Sequence, residues 1–103
     1  MAIKINTPLT TDEGFTVDNA FGYLNIYILA PNSNWVNLNY YKSEADFISG
    51  KSPLNVSAIP SQVQTELTNT EFWGTALATV ITEKCVIAIE AVTGSGTVEI
   101  IKS

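Results

Sequence analysis

Apolar and polar residues alternate most cleanly over two runs in the first half of the chain. From Gly22 to Ala30, Leu24, Ile26 and Ile28 recur at every second position. From Trp35 to Tyr41, Val36, Leu38 and Tyr40 point one way while Trp35, Asn37, Asn39 and Tyr41 point the other. Period two is the signature of a strand with one buried face. The polar connection Pro31-Asn32-Ser33-Asn34 predicts that the two runs fold back as an antiparallel hairpin. Upstream, Ile3 to Ile5 predicts a short strand that Pro8 ends. Thr10 to Gly14 reads as a polar turn, and Phe15 and Val17 alternate with Thr16 and Asp18.

After Tyr41 the period changes. Ser43 followed by Asp46 approximates a capping box and Gly50 suits a left-handed C-cap, which predicts one or two helical turns over Glu44 to Ser49. Pro53 stops any continuation, and Leu54 to Ile59 resumes strand-like alternation before Pro60. Ser61 and Gln64 repeat the cap pattern, so a second short helix is expected over Gln62 to Leu67. Glu71 to Thr82 fits a helical stripe through Phe72, Trp73, Ala76, Leu77, Val80 and Ile81, but its β-branched residues tip the reading toward a strand from Thr75. Lys84 to Val92 and Thr97 to Lys102 flank Thr93-Gly94-Ser95-Gly96 as a further hairpin. The whole predicts one mainly β domain over residues 1–103, an antiparallel β-sandwich or small barrel with one or two short helices.

Composition narrows what such a domain does. Ten acidic residues against five lysines and no arginine give a net charge of −5, with the lysines scattered. Phosphate backbones are gripped by clustered positive charge and Arg forks, so a nucleic-acid partner is not expected. The opening Met1 to Asn6 lacks the apolar core of a signal peptide and no run is long enough for a membrane helix, so a protein made in cytoplasm with no membrane partner is expected. The sequon Asn55-Val56-Ser57 then reads as chance. The lone Cys85 lies in an apolar stretch, where a small packed residue is expected rather than a reactive thiol.

Without histidine the chain lacks the usual general base, the Ser-His and Cys-His pairs and the commonest zinc ligand. No phosphate-cradling glycine motif occurs, and Gly94-Ser95-Gly96 joins two apparent strands. Glu44 with Asp46, and Asp12 with Glu13, are the paired acids, but both pairs fall in polar connectors rather than in a cleft that would split their proton affinities. Their spacing does not match a calcium loop either. No enzyme activity, cofactor or metal is expected. Binding stays open: Trp35, Asn37, Asn39 and Tyr41 mix aromatic planes with amides, a combination suited to protein interfaces and also to sugar rings, and equally to a second buried sheet face or a wet face with the rings lying flat.

The segment from Phe15 to Pro60, with "FTVDNAFGYLNIYIL" and "NLNYYKSEADFISGKSPL", resembles small β-rich structural proteins of tailed bacteriophages. In these a strand runs into a pattern like that from Tyr41 to Leu54, with Gly50, Lys51 and Pro53 after a short helix. The Asn- and Thr-rich, Arg-free composition is similar to virion proteins of crAss-like phages of gut Bacteroidetes. The resemblance spans about the middle half of the chain. It implies a virion component present in many copies, an auxiliary or decoration protein of the capsid or else a neck or tail subunit, whose partners are other virion proteins. The expected contact surface is Trp35, Asn37, Asn39 and Tyr41 with Lys42, Glu44, Asp46 and Lys51 of the following connector. A carbohydrate-binding module using the same aromatic face is the alternative. Net acidity favours the outside of a particle over its DNA-filled lumen.

Overall fold

The computed structural model describes residues 1–30 and 32–101. Along the chain these form β1 (Ala2–Ile5), β2 (Leu9–Thr10), β3 (Thr16–Val17), β4 (Ala20–Ala30), β5 (Ser33–Tyr41), α1 (Glu44–Ile48), β6 (Gln62–Thr65), α2 (Asn69–Phe72), α3 (Leu77–Thr93) and β7 (Val98–Ile101). Five strands make one antiparallel sheet in the order β6-β5-β4-β1-β7, and β2 with β3 forms a separate two-stranded ladder. Strand accounts for 36% of the described residues and helix for 26%, so the expected mainly β, antiparallel domain with short helices is what forms.

The β4–β5 hairpin holds the register that alternation predicts: Leu24 lies opposite Leu38 and Ile26 opposite Val36. Its connection is tighter than four residues, because Ser33 and Asn34 already belong to β5; Pro31 lies outside the described residues. The register shifts between Ile28 and Ala30. Buried Asn34 accepts a hydrogen bond from the Thr65 hydroxyl, which fastens the hairpin end to β6. The helix after Tyr41 also forms as read. The Ser43 hydroxyl accepts from the Asp46 amide at 3.2 Å, and Gly50 takes φ +77° just beyond the C-cap.

Four local expectations are corrected. The segment read as a helix over Gln62 to Leu67 is β6, since pairing Asn34–Asn37 buries Val63 against the core while leaving Gln62 and Gln64 outside. The alternation from Leu54 to Ile59 does not become a strand. That stretch is extended but held by single bonds, from Leu54 N to Tyr40 O at 2.7 Å and from Asp12 N to Asn55 O at 2.8 Å. The Asp12 carboxylate also accepts from Ser57 N and Oγ, at 2.9 and 2.6 Å, and these bonds hold its pKa below the usual carboxylate value.

The largest correction concerns residues 75–93. The strands expected from Thr75 and over Lys84 to Val92 are one 17-residue helix, α3. Its buried residues Ile81, Cys85 and Ile89 recur at intervals of four, with Leu77 half-buried one turn earlier, and this stripe packs the helix onto the sheet. Ile3, Ile5, Leu24, Val36, Leu38, Tyr40 and Val63 supply the other side of the core. Buried Thr82 satisfies its hydroxyl on Ala78 O at 2.7 Å. The Gly94–Gly96 turn therefore joins a helix to β7, not strand to strand. Both glycines have positive φ, +109° and +78°. The final strand runs Val98–Ile101; Lys102, the end of the expected strand, lies outside the described residues.

Gly22 sits where three core strands meet, opposite Ile3 on one side and Tyr40 on the other. A Cβ there would come within 2.8 Å of Ile3 Cγ1 and 3.2 Å of Ile3 Cδ1, with Tyr40 Cδ1 in ordinary contact at 3.4 Å, so glycine makes room for the Ile3 side chain. The Tyr40 hydroxyl donates to Pro60 O at 2.5 Å. Burial pushes the Cys85 thiol up to about 11; it also raises Tyr40, with nearby Cys85 adding to that shift. Both groups favour the neutral form in the folded state. Their stabilisation is complete below the unfolded values and is lost as pH rises through the folded ones. Unfolding midpoints in urea should thus fall from about pH 9 upward, each titrating group contributing up to about 1.4 kcal/mol per pH unit. Cys85→Ala should flatten the part between about pH 9 and 11, and a midpoint constant to pH 10.5 would contradict this account.

Candidate functional site

The sheet has two faces, and α3 covers only one. On the other, register places the side chains in rows. Gln62, Asn37 and Asn25 lie side by side; so do Gln64, Trp35 and Tyr27; Asn39 adjoins Tyr23; and Tyr41 adjoins Phe21, which lies opposite Lys4. Trp35 and Tyr27 stack with ring centroids 5.6 Å apart and planes 20° apart. Over β4, β5 and β6 the rows from Tyr23 and Asn39 to the hairpin end carry aromatic rings and amides and no charge, in a chain whose net charge is −5. Charge enters at the margins: Lys4 and Glu99 face each other at 4.0 Å at the far corner, and exposed Glu66 follows β6 at the hairpin end.

At the Tyr41 end, α1 closes the face. Phe47 reaches back over the sheet to stack on Tyr23 with centroids 4.5 Å apart and to meet Tyr41 edge-on at 5.1 Å and Phe21 at 5.4 Å. This contact leaves Tyr41 only 8% exposed. The local sequence explains the arrangement, since the Ser43 cap starts the helix immediately after the strand and places Phe47 one turn in, above the sheet it has just left.

Among the residues selected from the sequence, Trp35, Asn37 and Asn39 come together, half-buried, on this uncovered face. Tyr41 shares the face but lies beneath Phe47. Lys42 and Glu44 are exposed at the Tyr41 end of the sheet, and Lys51 pairs with Asp46, in the first turn of α1, at 3.6 Å, which ties the connector back to that helix. Such an exposed pair stabilises little. Sequence reasoning missed the β4 and β6 partners of the same surface: Tyr23, Asn25, Tyr27, Gln62 and Gln64. The signal was present for β4, because a hairpin with Leu24 and Ile26 inward must turn Tyr23, Asn25 and Tyr27 outward beside Trp35 and Asn37. It was absent for Gln62 and Gln64, which reach the face only because β6 is a strand.

Next to Trp35, at the hairpin end, lies a cleft of about 570 Å³ lined by Leu29, Asn32, Ser33, Gln64 and Glu66 among others. Among the described residues no group of three His, Cys, Asp or Glu side chains could hold a metal ion, and no helix is long and apolar enough to cross a membrane. Glu71 accepts the Thr68 amide at 2.9 Å in the capping box that opens α2 and pairs with Lys84 of α3 at 3.6 Å. These partners, the amide first, lower its pKa, so it serves as a helix-start anchor. No family model, curated protein or solved structure matches the chain.

Proposed function

We propose that this protein is a virion structural component, an auxiliary or decoration protein of a capsid, acting through protein contacts made by the uncovered face of its sheet. A neck or tail subunit would use the same surface. The observation that carries the reading is that Trp35, Asn37 and Asn39, together with Asn25 and Tyr27, form a charge-free aromatic and amide surface that no other element among the described residues covers, bordered by Tyr23 beneath Phe47. Interface cores are depleted in charge and enriched in Trp and Tyr, with a polar rim, and here Lys42, Glu44 and Lys51 would form that rim. The resemblance of residues Phe15 to Pro60 to phage structural proteins supplies the setting, and the absence of histidine fits a molecule that works by contact.

The test is made on particles from the native source. Peptides of this chain should be recovered from purified virions in multiple copies, with density for the domain on the outer surface and its open sheet face against a neighbouring subunit. Recovery only from the soluble fraction, or density lining the DNA-filled interior, contradicts the proposal. The cleft beside Trp35 supports one second reading, a carbohydrate-binding module, since a sugar ring could stack on the indole with Gln64, Asn32 and Glu66 within its reach.

A further inference from the structure

Beside the outer half of β4 no strand lies among the described residues. β1 accompanies β4 only from Ala20, opposite Ile5, to Tyr23, opposite Ala2; beyond that Leu24 N donates to Met1 O at 3.1 Å. Alternate residues of a strand send both backbone groups to the same side. Ile26 and Ile28 therefore turn their N–H and C=O the way Leu24 does, into the empty lane, while Asn25 and Tyr27 turn theirs toward β5. Natural sheets blunt such an edge with Lys, Pro or an inward charge. Asn25 to Ala30 carries none of these, and Tyr27 and Leu29 are 46% and 74% exposed. The register shift lies beyond Ile28, so the strand keeps a regular pleat through the residues that matter.

We propose that the lane is filled by a second copy of this chain, β4 running antiparallel to β4 about a two-fold axis at Tyr27. The backbone directions select this register. With the axis there, Ile26 of each copy exchanges both hydrogen bonds with Ile28 of the other, four bonds in all, and the two Tyr27 residues face one another as a non-hydrogen-bonded pair. An axis at Ile28 would carry the pairing across the shift at Leu29. An axis at Ile26 would require bonds from Leu24, whose amide Met1 already occupies. The Tyr27 axis brings only Ala30 of the second copy toward Leu24, needs no bond there, and has the register shift between Ile28 and Ala30 at which that chain turns away from Met1.

Side chains agree with the register. Ile26 and Ile28, half-buried on the helix side, meet their counterparts and extend the apolar layer across the junction. On the open side the row Gln64, Trp35, Tyr27 continues into Tyr27, Trp35 and Gln64 of the second copy, four rings in line. Two five-stranded sheets become one of ten. The contact is small, so an isolated pair is weak and gains strength where copies are held close together. The inference rests on the edge alone. A dimer from a protein absent from virions would leave it standing and remove the proposed function, and the converse holds.

Tyr27→Cys tests it. Non-hydrogen-bonded antiparallel partners sit about 4.5 Å apart between Cα atoms, within disulfide reach. Leu29→Cys is the control: its side chain is more exposed, but this register sets the two copies of residue 29 about 14 Å apart. Under mild oxidant, with Cys85 buried in both variants, Tyr27→Cys should cross-link at least about tenfold faster than Leu29→Cys. Equal rates, a faster control, or a Tyr27→Cys protein that stays monomeric overturns the proposal. In the unaltered chain, amide exchange at Ile26 and Ile28 should slow by about tenfold between micromolar and millimolar protein while Asn25 and Tyr27 hold steady. Concentration-independent exchange at both isoleucines also overturns it.

Discussion

Ile89→Ala should destabilise the domain by about 3 to 5 kcal/mol, whereas Ile87→Ala, two residues away, should change it by less than about 0.5 kcal/mol. Ile89 is fully buried at the sheet-facing stripe of α3; Ile87 is 68% exposed on the opposite side of the same helix. Truncating Ile89 removes packed methyl and methylene groups and leaves a cavity between α3 and the sheet, where Cys85, Ile81 and the sheet isoleucines cannot all close in. Truncating Ile87 removes surface already wet and substitutes a better helix former. Against a total of about 5 to 15 kcal/mol for a domain of this size, the first loss should lower the melting temperature by well over 10 °C. The pair is also a direct test of the helix. On a strand, residues 87 and 89 would share one face and both would be costly, so comparable losses would refute α3.

That contrast shows why the second half of the chain was harder to read than the first. In β4 and β5 polar residues mark every outward position, so period two is visible: Asn37 and Asn39 sit between Val36, Leu38 and Tyr40. In Cys85-Val86-Ile87-Ala88-Ile89 every position is apolar, and a run without contrast has no period to read. β-branched residues then favoured a strand on propensity, and packing of the four-residue stripe overrode that preference. A better signal lay nearby. Thr68 and Glu71 have capping-box spacing, and the structure forms that box, whereas Ser61 and Gln64, with related spacing, sit at a strand. A cap motif marks a helix start only where the following residues have no sheet edge to join, and the free edge of β5 was waiting for Gln62–Thr65. The candidate surface was legible for the same reason as the hairpin, and it lost Tyr41 because Phe47, inside the expected helix, turns back onto the sheet.

The larger functional effect is expected at Trp35. Trp35→Ala should leave a folded domain, since the residue lies outside the α3-facing core and its main packing partner is the Tyr27 ring; the loss of that stacked pair should cost about 1 kcal/mol. Incorporation into particles should fall at least about thirtyfold, because a buried indole at the centre of an interface typically contributes 2 kcal/mol or more and no neighbouring side chain can fill its place. Lys51→Ala, at the rim and paired only with Asp46, should incorporate normally. Competition between wild-type and variant protein for virions, with circular dichroism on both, separates the outcomes. A variant that unfolds makes Trp35 a structural residue, and one that incorporates as well as the parent removes the open face from the contact. Oligosaccharide titration resolves the remaining rival if it is run in a Trp73→Phe background, because Trp73 is 81% exposed and would otherwise dominate the fluorescence. A protein that joins particles through this face should show no saturable change, while a sugar stacked beside the indole would shift its emission and lose that response in Trp35→Ala.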